Sequence, residues 1–492
     1  MRVEALLETA AHHTPDKTAL VSGDIRVSYC QLDEQANRLA HALIAADIEP
    51  GDRVVICRGN SIETVAAIFA VLKAGAIFVV VNPQSRADRL VERLADCAAA
   101  ALFAEAPPIR LGHTRLFTTF DAPAYPSTPP RVPGTEQDLA ALVYTSGSTG
   151  ESKGVMLTHR NLLSAADAIC DYLDLTADDV ILSVLPLAFT YGLGQITTAF
   201  RSGATVVLEA SSLYPRAILD TMAREGVTGL PLVPTMATLI LQQDLNDVSF
   251  PHLRYITNAA AALSNVKIRQ LQKAFPRAKL YSMYGQTECQ RVSYLPPDQL
   301  DAKPASVGIA IPGTRVWIVD AEGNRVPSGS IGELVVSGPH VMSGYWNQPD
   351  QTARVLRCDD VTGINELHTG DLFRMDADGF LYFVDRLDDM IKTRGEKVAP
   401  RQIEEVIARL PAVAEVSVYG VPDELLGEAI AASVTLVPGT RLSRERIQRH
   451  CLEHLESFMV PRQIDIREAL PTGANGKINR RALREASNEA SA

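Results

Sequence analysis

Helical and strand-like hydrophobic patterns alternate along the first part of the chain, and this alternation constrains the fold more than any other feature. Between residues 28 and 104 the order is helix at 32–44, strand at 53–57, helix at 62–74, strand at 76–81, helix at 87–97 and strand at 100–104. Such alternation is typical of layered α/β sheets. It resumes after a proline-rich segment at 121–134, with strands at 180–184 and 204–208 and a helix at 215–225. The sequence therefore predicts the α/β class.

The chain is too long for one hydrophobic core, since 492 residues indicate two or more domains. Short strands separated by Gly, Pro and Asp occupy 306–385 and predict a small β-rich subdomain. In the last hundred residues Pro400 begins a helix with one apolar face, strands follow at 415–419 and 429–437, and another helix starts near Ser443. We place the domain boundary near Asp388, which predicts domains of residues 1–387 and 388–492.

Charge and composition argue against several classes of protein. A net charge of −11 argues against a nucleic-acid-binding protein. The most apolar stretch, 65–81, contains Lys73 and Gly75 and predicts a buried helix, a turn and a buried strand rather than a membrane span. The seven cysteines lack the close spacing of zinc or redox motifs, and the N-terminus lacks a signal-peptide pattern. We therefore expect reduced thiols and a cytoplasmic location.

The most specific motif is the segment 144–154, which reads Tyr-Thr-Ser-Gly-Ser-Thr-Gly-Glu-Ser-Lys-Gly. It is predicted to lie between a strand at 139–144 and a helix that begins near Thr158. Glycines and hydroxyl side chains let backbone N–H groups approach an anion, and Lys153 adds a positive charge. The motif therefore predicts a polyphosphate site; the alternative is a flexible linker. It differs from the standard mononucleotide P-loop, in which Gly-Lys precedes Ser or Thr.

Three further motifs are weak one by one. The pentapeptide 284–288, Tyr-Gly-Gln-Thr-Glu, follows an apolar run and ends in a carboxylate of the kind that Mg²⁺ prefers. Asp371 follows a His-Thr-Gly sequence, and Arg386 begins a charged segment that continues to Lys397. Lys477 lies on a glycine-rich loop, where it would be a mobile cation. The alternative for each motif is a surface turn or an exposed ion pair.

Together, and in this order, the four motifs resemble the signature of the adenylate-forming superfamily, which includes acyl-CoA synthetases, peptide-synthetase adenylation domains and luciferases. The chain looks most like a free-standing acyl-CoA or acyl-carrier-protein ligase. The resemblance implies a large N-terminal domain of two α/β layered subdomains plus a small β-barrel, followed by a small mobile α+β C-terminal domain. It also implies ATP-dependent activation of a carboxylic acid to an acyl-adenylate, release of pyrophosphate, and acyl transfer to a thiol.

The resemblance also implies roles for individual residues. Lys477, Glu288 and Arg386 would be catalytic, and Glu288 with Thr145 would hold Mg²⁺. Asp388 would be the hinge of the small domain, and Gly395 and Lys397 would line the thiol tunnel. The residues implied to bind ATP are Thr145, Ser146, Gly147, Ser148, Thr149, Gly150, Lys153, Asn258, Ala259, Ala260, Tyr284, Gly285, Gln286, Thr287, Asp371 and Arg386. Those implied to line the acyl pocket are Phe189, Thr190, Tyr191 and Met283.

The acid and the thiol are less constrained. Members of the superfamily that activate amino acids usually carry Asp at the position of Thr190, which pairs with the substrate's amino group. Because a buried ammonium without a partner is costly, Thr190 favours an acid without an α-amino group. No carrier domain follows Lys477 in the sequence, so we expect CoA or the phosphopantetheine of a carrier protein to arrive in trans.

Three alternatives remain open at this point. One is a stand-alone enzyme that loads an amino acid onto a carrier protein. Another is a luciferase-like oxygenase that consumes the adenylate, although no sequence feature marks it. The third is a non-catalytic binding protein with a degenerate site. The residues Lys153, Glu288, Asp371, Arg386 and Lys477 are all present, and their presence argues against the degenerate site.

Overall fold

The computed structural model describes residues 1–105, 113–119, 121–146, 152–210, 214–245, 248–358, 364–393, 396–423, 426–473 and 478–491. For residues 146, 397 and 488–491 the description covers the backbone alone. The α-helices are α1 (Ala5–His13), α2 (Tyr29–Ala45), α3 (Ile62–Lys73), α4 (Ala87–Asp96), α5 (His159–Leu173), α6 (Thr190–Ser202), α7 (Pro215–Glu225), α8 (Pro234–Leu241), α9 (Asn265–Ala274), α10 (Pro349–Val355), α11 (Pro400–Ile407), α12 (Arg444–His454) and α13 (Arg480–Ser491).

The strands within the described residues divide among four sheets. In chain order they are β1 (Thr18–Ser22), β2 (Ile25–Ser28), β3 (Arg53–Cys57), β4 (Ile77–Val81), β5 (Ala101–Phe103), β6 (Arg115–Phe117), β7 (Leu139–Ser146), β8 (Ser152–Thr158), β9 (Val180–Ser183), β10 (Thr205–Leu208), β11 (Gly229–Leu232), β12 (Tyr255–Asn258), β13 (Lys279–Tyr284), β14 (Ser293–Tyr294), β15 (Ile309–Ala310), β16 (Arg315–Val319), β17 (Ile331–Ser337), β18 (Gly344–Tyr345), β19 (Leu356–Cys358), β20 (Asn365–Met375), β21 (Leu381–Arg386), β22 (Ile391–Thr393), β23 (Glu396–Val398), β24 (Val413–Asp423), β25 (Gly427–Leu436) and β26 (Gln463–Arg467). The predicted helix at 215–225 and strand at 53–57 are confirmed to the residue.

Two large sheets form the first part of the chain. One has the order β18-β8-β7-β4-β3-β5-β6, and the other has the order β15-β14-β13-β12-β11-β9-β10-β1-β2. Both are parallel at their centres and antiparallel at one or both ends. The main hydrophobic core contains residues of both sheets together with α1, α2, α3 and α6, so helices are packed between the two sheets. This confirms the predicted α/β class with two layered units.

A third and a fourth sheet follow. Antiparallel strands β16, β17, β20, β19 and β21 form a five-stranded sheet in the region that was predicted to be a small β-barrel. The fourth sheet, of strands β22 to β26, packs with α11 and α12 around a hydrophobic core of its own. All of its strands and core residues come after Asp388, and the boundary at that residue stays a prediction.

The apolar stretch 65–81 folds as the sequence predicts. It forms most of α3, a turn at Gly75 with φ +74°, and β4. Lys73 is buried at the end of α3, where its ammonium lies 2.6 Å from Glu8 and 2.9 Å from Asp33. The two carboxylates allow a charged group to remain inside this core. Within the described residues, no helix is both long enough and apolar enough to cross a membrane.

We expect Lys73→Met to lower the free energy of unfolding by about 3 kcal/mol, because two carboxylates would lose their buried cation. Urea unfolding followed by circular dichroism would measure the shift. Lys273→Met, at an exposed position on α9, is the matched control and should change stability by less than about 0.5 kcal/mol. Equal midpoints for the two variants would contradict the assigned role of Lys73.

Candidate active site

The predicted site residues gather where neighbouring parallel strands end. Strand β12 ends at Asn258 and β13 ends at Tyr284, and the two strands pair in parallel with Asn258 opposite Ser282. Ligands in open α/β sheets bind outside the carboxyl ends of the strands. Beyond this edge, strands β20 and β21 bring Asp371 and Arg386 opposite each other in register. Two sheets therefore contribute side chains to one place.

Asp371 is the centre of this arrangement. Its side chain is buried, and its Oδ2 atom accepts hydrogen bonds from the Tyr284 hydroxyl at 2.7 Å and from Gln286 Nε2 at 2.8 Å. The Nε atom of Arg386 lies 3.2 Å from the other carboxylate oxygen. The structure thus gathers Tyr284, Gln286 and Arg386 around Asp371. All four were predicted to bind ATP, although they span about a hundred positions of the sequence.

The charge state of this group follows from its surroundings. Burial raises the pKa of Tyr284, and the charge of Asp371 raises it further, so the phenol keeps its proton and donates it. The side chain of Arg386 is half-exposed; its partial burial opposes the charge, but the carboxylates of Asp371, Asp389 and Glu288 outweigh this effect and raise its pKa. The site therefore presents a fixed cation beside a fixed carboxylate.

A second group forms around Glu288. Its Oε1 atom accepts a hydrogen bond of 2.8 Å from the Tyr345 hydroxyl, and the ammonium of Lys153 lies 5.0 Å from the centre of the Tyr345 ring. Burial, and then the charge of Glu288, raise the pKa of Tyr345, while the charge of Arg386 lowers it. Since Arg386 interacts electrostatically with Glu288 as well as Asp371, the two groups share one electrostatic environment.

The glycine-rich motif begins and ends in strands. The sequence predicted a strand before the motif and a helix after it. In the structure the motif connects two antiparallel strands, β7 and β8, with Thr145 opposite Lys153. The helix, α5, begins at His159 after β8, with Thr158 as its N-cap. The reason is that the apolar residues after Lys153 extend the sheet before the helix begins. Gly147, Ser148, Thr149 and Gly150 lie outside the described residues, as does the side chain of Ser146.

The segment after β12 has an unusual backbone. Ala260 has φ +72°, a conformation that costs a non-glycine residue about 1 kcal/mol, and Ala259 is buried. Asn258 is also buried; its Nδ2 donates to the Ala261 carbonyl at 2.9 Å, while Oδ1 has no donor in the described part of the chain. The predicted adenine-side segment thus begins with a buried acceptor.

Gly285 and Thr287 complete the pentapeptide 284–288. A Cβ atom at Gly285 would lie 2.2 Å from the carbonyl oxygen of Gln290 and 3.0 Å from Cα of Arg291. Only glycine permits this close approach, which folds the pentapeptide back onto the following residues. Thr287 is half-buried in this turn.

A cavity lies on the other face of β13. Thr190, Tyr191 and Met283, three of the four residues predicted to line the acyl pocket, line this cavity, whereas Phe189 is not among its lining residues. The Tyr191 hydroxyl hydrogen-bonds to Thr257 Oγ1 at 2.8 Å, and Tyr172 donates to the Met283 sulfur at 3.1 Å. Because successive residues of a strand point to opposite faces, Met283 faces the cavity while Tyr284 faces Asp371. The cavity therefore adjoins the Asp371 group through one strand.

Arg291 also lines this cavity, and sequence analysis missed it. Its side chain is buried, and its guanidinium carbon lies 5.0 Å from the centre of the Tyr191 ring. None of the four residues predicted to line the acyl pocket is charged, but the cavity contains a buried cation.

The predicted hinge lies in a short 3-10 turn at Leu387–Asp389, directly after β21. Beside it, Arg480 pairs with Asp389 at 2.8 Å, with Glu404 at 2.8 Å and with Asp385 at 3.6 Å. Gly395 and Lys477 lie outside the described residues, as does the side chain of Lys397. The residues that flank Lys477, Thr472 and Ile478, form an isolated antiparallel bridge.

The carboxylate oxygens of Glu288 are ligands of the kind that a magnesium ion prefers. Glu288 is half-buried, and Tyr345 holds one of its carboxylate oxygens, so the orientation of the other oxygen is fixed. Oxygen ligands of this kind suit Mg²⁺, which also takes ligands from phosphates and water. Thr145, at the end of β7, is the second predicted ligand.

Residues such as Tyr345 and Arg291 carry no motif that identifies them. Tyr345 lies 57 positions from Glu288, and only the pairing of β18 with β8 brings it near Lys153. Arg291 has no identifying signal in the sequence, because it stands between the polar Gln290 and the apolar Val292. Their positions follow from tertiary structure, which single-sequence patterns do not contain.

Comparison with known proteins gives consistent results. The AMP-binding enzyme family matches residues 7–346, and the AMP-binding enzyme C-terminal domain matches residues 402–477. A feruloyl-CoA synthase of an Amycolatopsis species is 33% identical over 478 residues, which cover 95% of each chain. The fatty acid–acyl-carrier-protein ligase ScoC of Streptomyces coeruleorubidus is 31% identical, over 98% of this chain and 96% of its own. The ATP-bound structure of MatB from Rhodopseudomonas palustris matches with a TM-score of 0.92 at 29% identity. The match covers 100% of both chains.

Two further relatives are much longer than this chain. It spans 6% and 10% of linear gramicidin synthase subunits C and D of Brevibacillus parabrevis, with 31% and 30% identity over 491 residues. The similarity in both cases extends over 98% of this chain.

We expect Gly285→Ala to destabilise the protein by about 1–3 kcal/mol, because the new methyl group would force the Gln290–Arg291 backbone away. Thermal unfolding followed by circular dichroism would measure the change. Gly194→Ala is the matched control, since a Cβ atom there meets no atom within 4 Å and alanine favours the helix. An unchanged unfolding midpoint for Gly285→Ala would contradict the close approach.

Proposed function

The chain belongs to the AMP-binding enzyme family, and on this premise we propose that it activates a carboxylic acid with ATP and transfers the acyl group to a thiol. The thiol would be that of CoA or of a carrier protein's phosphopantetheine. The observation that supports the proposal most is the convergence of Tyr284, Gln286 and Arg386 on the buried carboxylate of Asp371. A carboxylate held by three donors is an oriented acceptor for the hydroxyl groups of a ribose.

The proposed nucleotide site follows from the two groups of side chains. Asp371 would accept the ribose hydroxyls, and Arg386 would contact a ribose or phosphate oxygen. Lys153 and the loop of residues 145–153 would hold the β- and γ-phosphates, with Tyr284 and Asn258–Ala260 on either side of adenine. Glu288 and Thr145 would hold Mg²⁺, which when bound would neutralise phosphate charge.

In the first proposed step, an oxygen of the substrate carboxylate attacks the α-phosphorus of ATP. The new bond gives an acyl-adenylate, and the bond to the β-phosphate oxygen breaks to release pyrophosphate. Both reactants are anions, so the site must supply fixed positive charge where they meet. We assign this role to Arg386 and to Lys477, which would bridge the carboxylate and the α-phosphate.

In the second proposed step, a thiol attacks the acyl carbon, AMP leaves and the thiol proton is released. We propose that the small domain turns about Asp388 between the two steps and brings Gly395 and Lys397 to the thiol. Such a hinge would exchange one arrangement of charged groups for another around the same adenylate.

We propose that the acid lacks an α-amino group. Thr190 lines the cavity beside Tyr191 and Met283, and it offers a hydroxyl but no negative charge. Ammonium groups are costly to bury without a counter-charge, so an amino acid would be a poor substrate.

The proposal is tested by acid-dependent exchange of pyrophosphate into ATP with a panel of carboxylic acids, followed by AMP release with and without CoA. We expect exchange with at least one acid that lacks an amino group. AMP release stimulated by CoA would identify CoA as the acceptor, whereas stimulation only by a phosphopantetheinylated carrier protein would identify the carrier. Exchange only with amino acids would support the alternative of an amino-acid adenylation enzyme.

We expect Lys477→Ala to slow pyrophosphate exchange by roughly 10²–10³-fold, the effect of removing one oriented charge from a transition state. Lys279→Ala, an exposed lysine on β13, serves as the control and should exchange at the rate of the unsubstituted protein. An exchange rate within a few-fold of normal in Lys477→Ala would refute the role of Lys477.

We expect Asp388→Pro to spare pyrophosphate exchange and to block acyl transfer to the thiol. Proline fixes φ near −65° and restricts the residue before it, so a hinge at this residue would lose its second arrangement. Asp388→Ala keeps the backbone free and should retain both activities. Equal loss of both half-reactions in Asp388→Pro would count against a hinge there.

A further inference from the structure

Arg291 is a buried cation for which the described residues provide no counter-ion. Its side chain is 5% exposed, and its Nε atom is buried without a hydrogen-bond partner in the described part of the chain. Among the described residues no ion pair joins it to an acidic side chain, in contrast to Lys73 and Arg480, which each have carboxylates within 3 Å. Burying a guanidinium without a partner is costly, so this arrangement calls for an anion that the described part of the chain does not supply.

The location of Arg291 points to the acid as the source of that anion. It lines the same cavity as Thr190, Tyr191 and Met283, next to the strand that ends in Tyr284. Its guanidinium lies 5.0 Å from the centre of the Tyr191 ring, and the Tyr191 hydroxyl is engaged by Thr257. These contacts fix the guanidinium inside the cavity but leave its forked N–H donors available to a ligand.

The positive charge of Arg291 affects the pKa of two tyrosines that line the cavity. Burial raises the pKa of Tyr191 to about 12, and the nearby positive charge of Arg291 opposes this rise. Burial also raises the pKa of Tyr172, and the charge of Arg291 opposes that rise too. Both phenols remain neutral at physiological pH, so the cavity carries the cation and no side-chain anion among its lining residues.

We propose that Arg291 determines substrate specificity by binding a second carboxylate, remote from the one that reacts, so that the enzyme activates a dicarboxylic acid. The inference rests on the proposed function, because it assumes that the cavity holds the acid. A guanidinium matches a carboxylate with two parallel hydrogen bonds, which fixes the orientation of the substrate as well as its charge. The first carboxylate would then reach the nucleotide at the other end of the cavity.

The test compares matched acids that differ by one carboxylate: butyrate with glutarate, and benzoate with isophthalate and terephthalate. We expect pyrophosphate exchange with a dicarboxylic acid at a kcat/KM about 100-fold above that of its monocarboxylic partner. Arg291→Met should abolish this preference, since removing one partner of a buried charge pair typically costs a factor of this size. Arg291→Lys, which keeps the charge without the fork, should keep part of the preference.

Two controls separate specificity from a structural role. Arg277→Met, at an exposed position, should leave the ratio between matched acids unchanged. The thermal unfolding midpoint of ligand-free Arg291→Met should equal or exceed that of the unsubstituted protein, because the variant removes an unpaired buried charge. A lower midpoint, with both members of each pair slowed equally, would assign Arg291 to packing and overturn the proposal.

The remaining outcomes distinguish this inference from the function on which it rests. Exchange with monocarboxylic acids at rates equal to or above those of the dicarboxylic acids would overturn the role of Arg291 and leave the proposed function intact. Exchange with no carboxylic acid at all, in the unsubstituted protein with ATP and Mg²⁺, would overturn both.

Discussion

The buried carboxylate of Asp371 is the contact on which the rest of the site depends. It receives a hydrogen bond from the end of β13, another from the turn after it, and an ion pair from the end of β21. These elements belong to two different sheets. A buried carboxylate is tolerated only when its acceptors are satisfied, so the sheets are fixed relative to each other by the same residue that is proposed to bind ribose. Stability and binding therefore converge on one side chain.

Much of this architecture could be predicted from the sequence, because it depends on local patterns. Helices α3 and α7 and strands β3 and β4 coincide with hydrophobic periodicity, and Pro215 and Pro400 begin their helices as expected. The motif residues Tyr284, Gln286, Asp371 and Arg386 lie together as their resemblance implied. The patterns could not give the contacts between distant segments. The β8–β18 pairing places Tyr345 near Lys153, and no local rule specifies a pairing between strands almost two hundred residues apart.

The glycine-rich motif shows a second limit. Its composition indicates an anion site, but composition alone does not say whether a strand or a helix follows. The seven residues of β8 pair with β7 before α5 begins, because Val155 and Leu157 bury their side chains in the main hydrophobic core. Arg291 shows a third limit, since an arginine in a sequence is expected at the surface and only the fold places it inside. Both differences arise from contacts between segments that are distant in sequence.

The ion pairs of Arg480 have a consequence for the balance between conformations. Asp385 precedes the proposed hinge, whereas Asp389 and Glu404 follow it, and Arg480 holds all three. A rotation about Asp388 would carry Arg480 away with Asp389 and Glu404 and leave Asp385 behind; the side chain of Asp385 is 1% exposed in the present arrangement. Burial already raises the pKa of Asp385, against the charge of Arg480. If the proposed hinge turns, this carboxyl would lose the guanidinium of Arg480, so the ion pairs of Arg480 would stabilise the present arrangement against rotation.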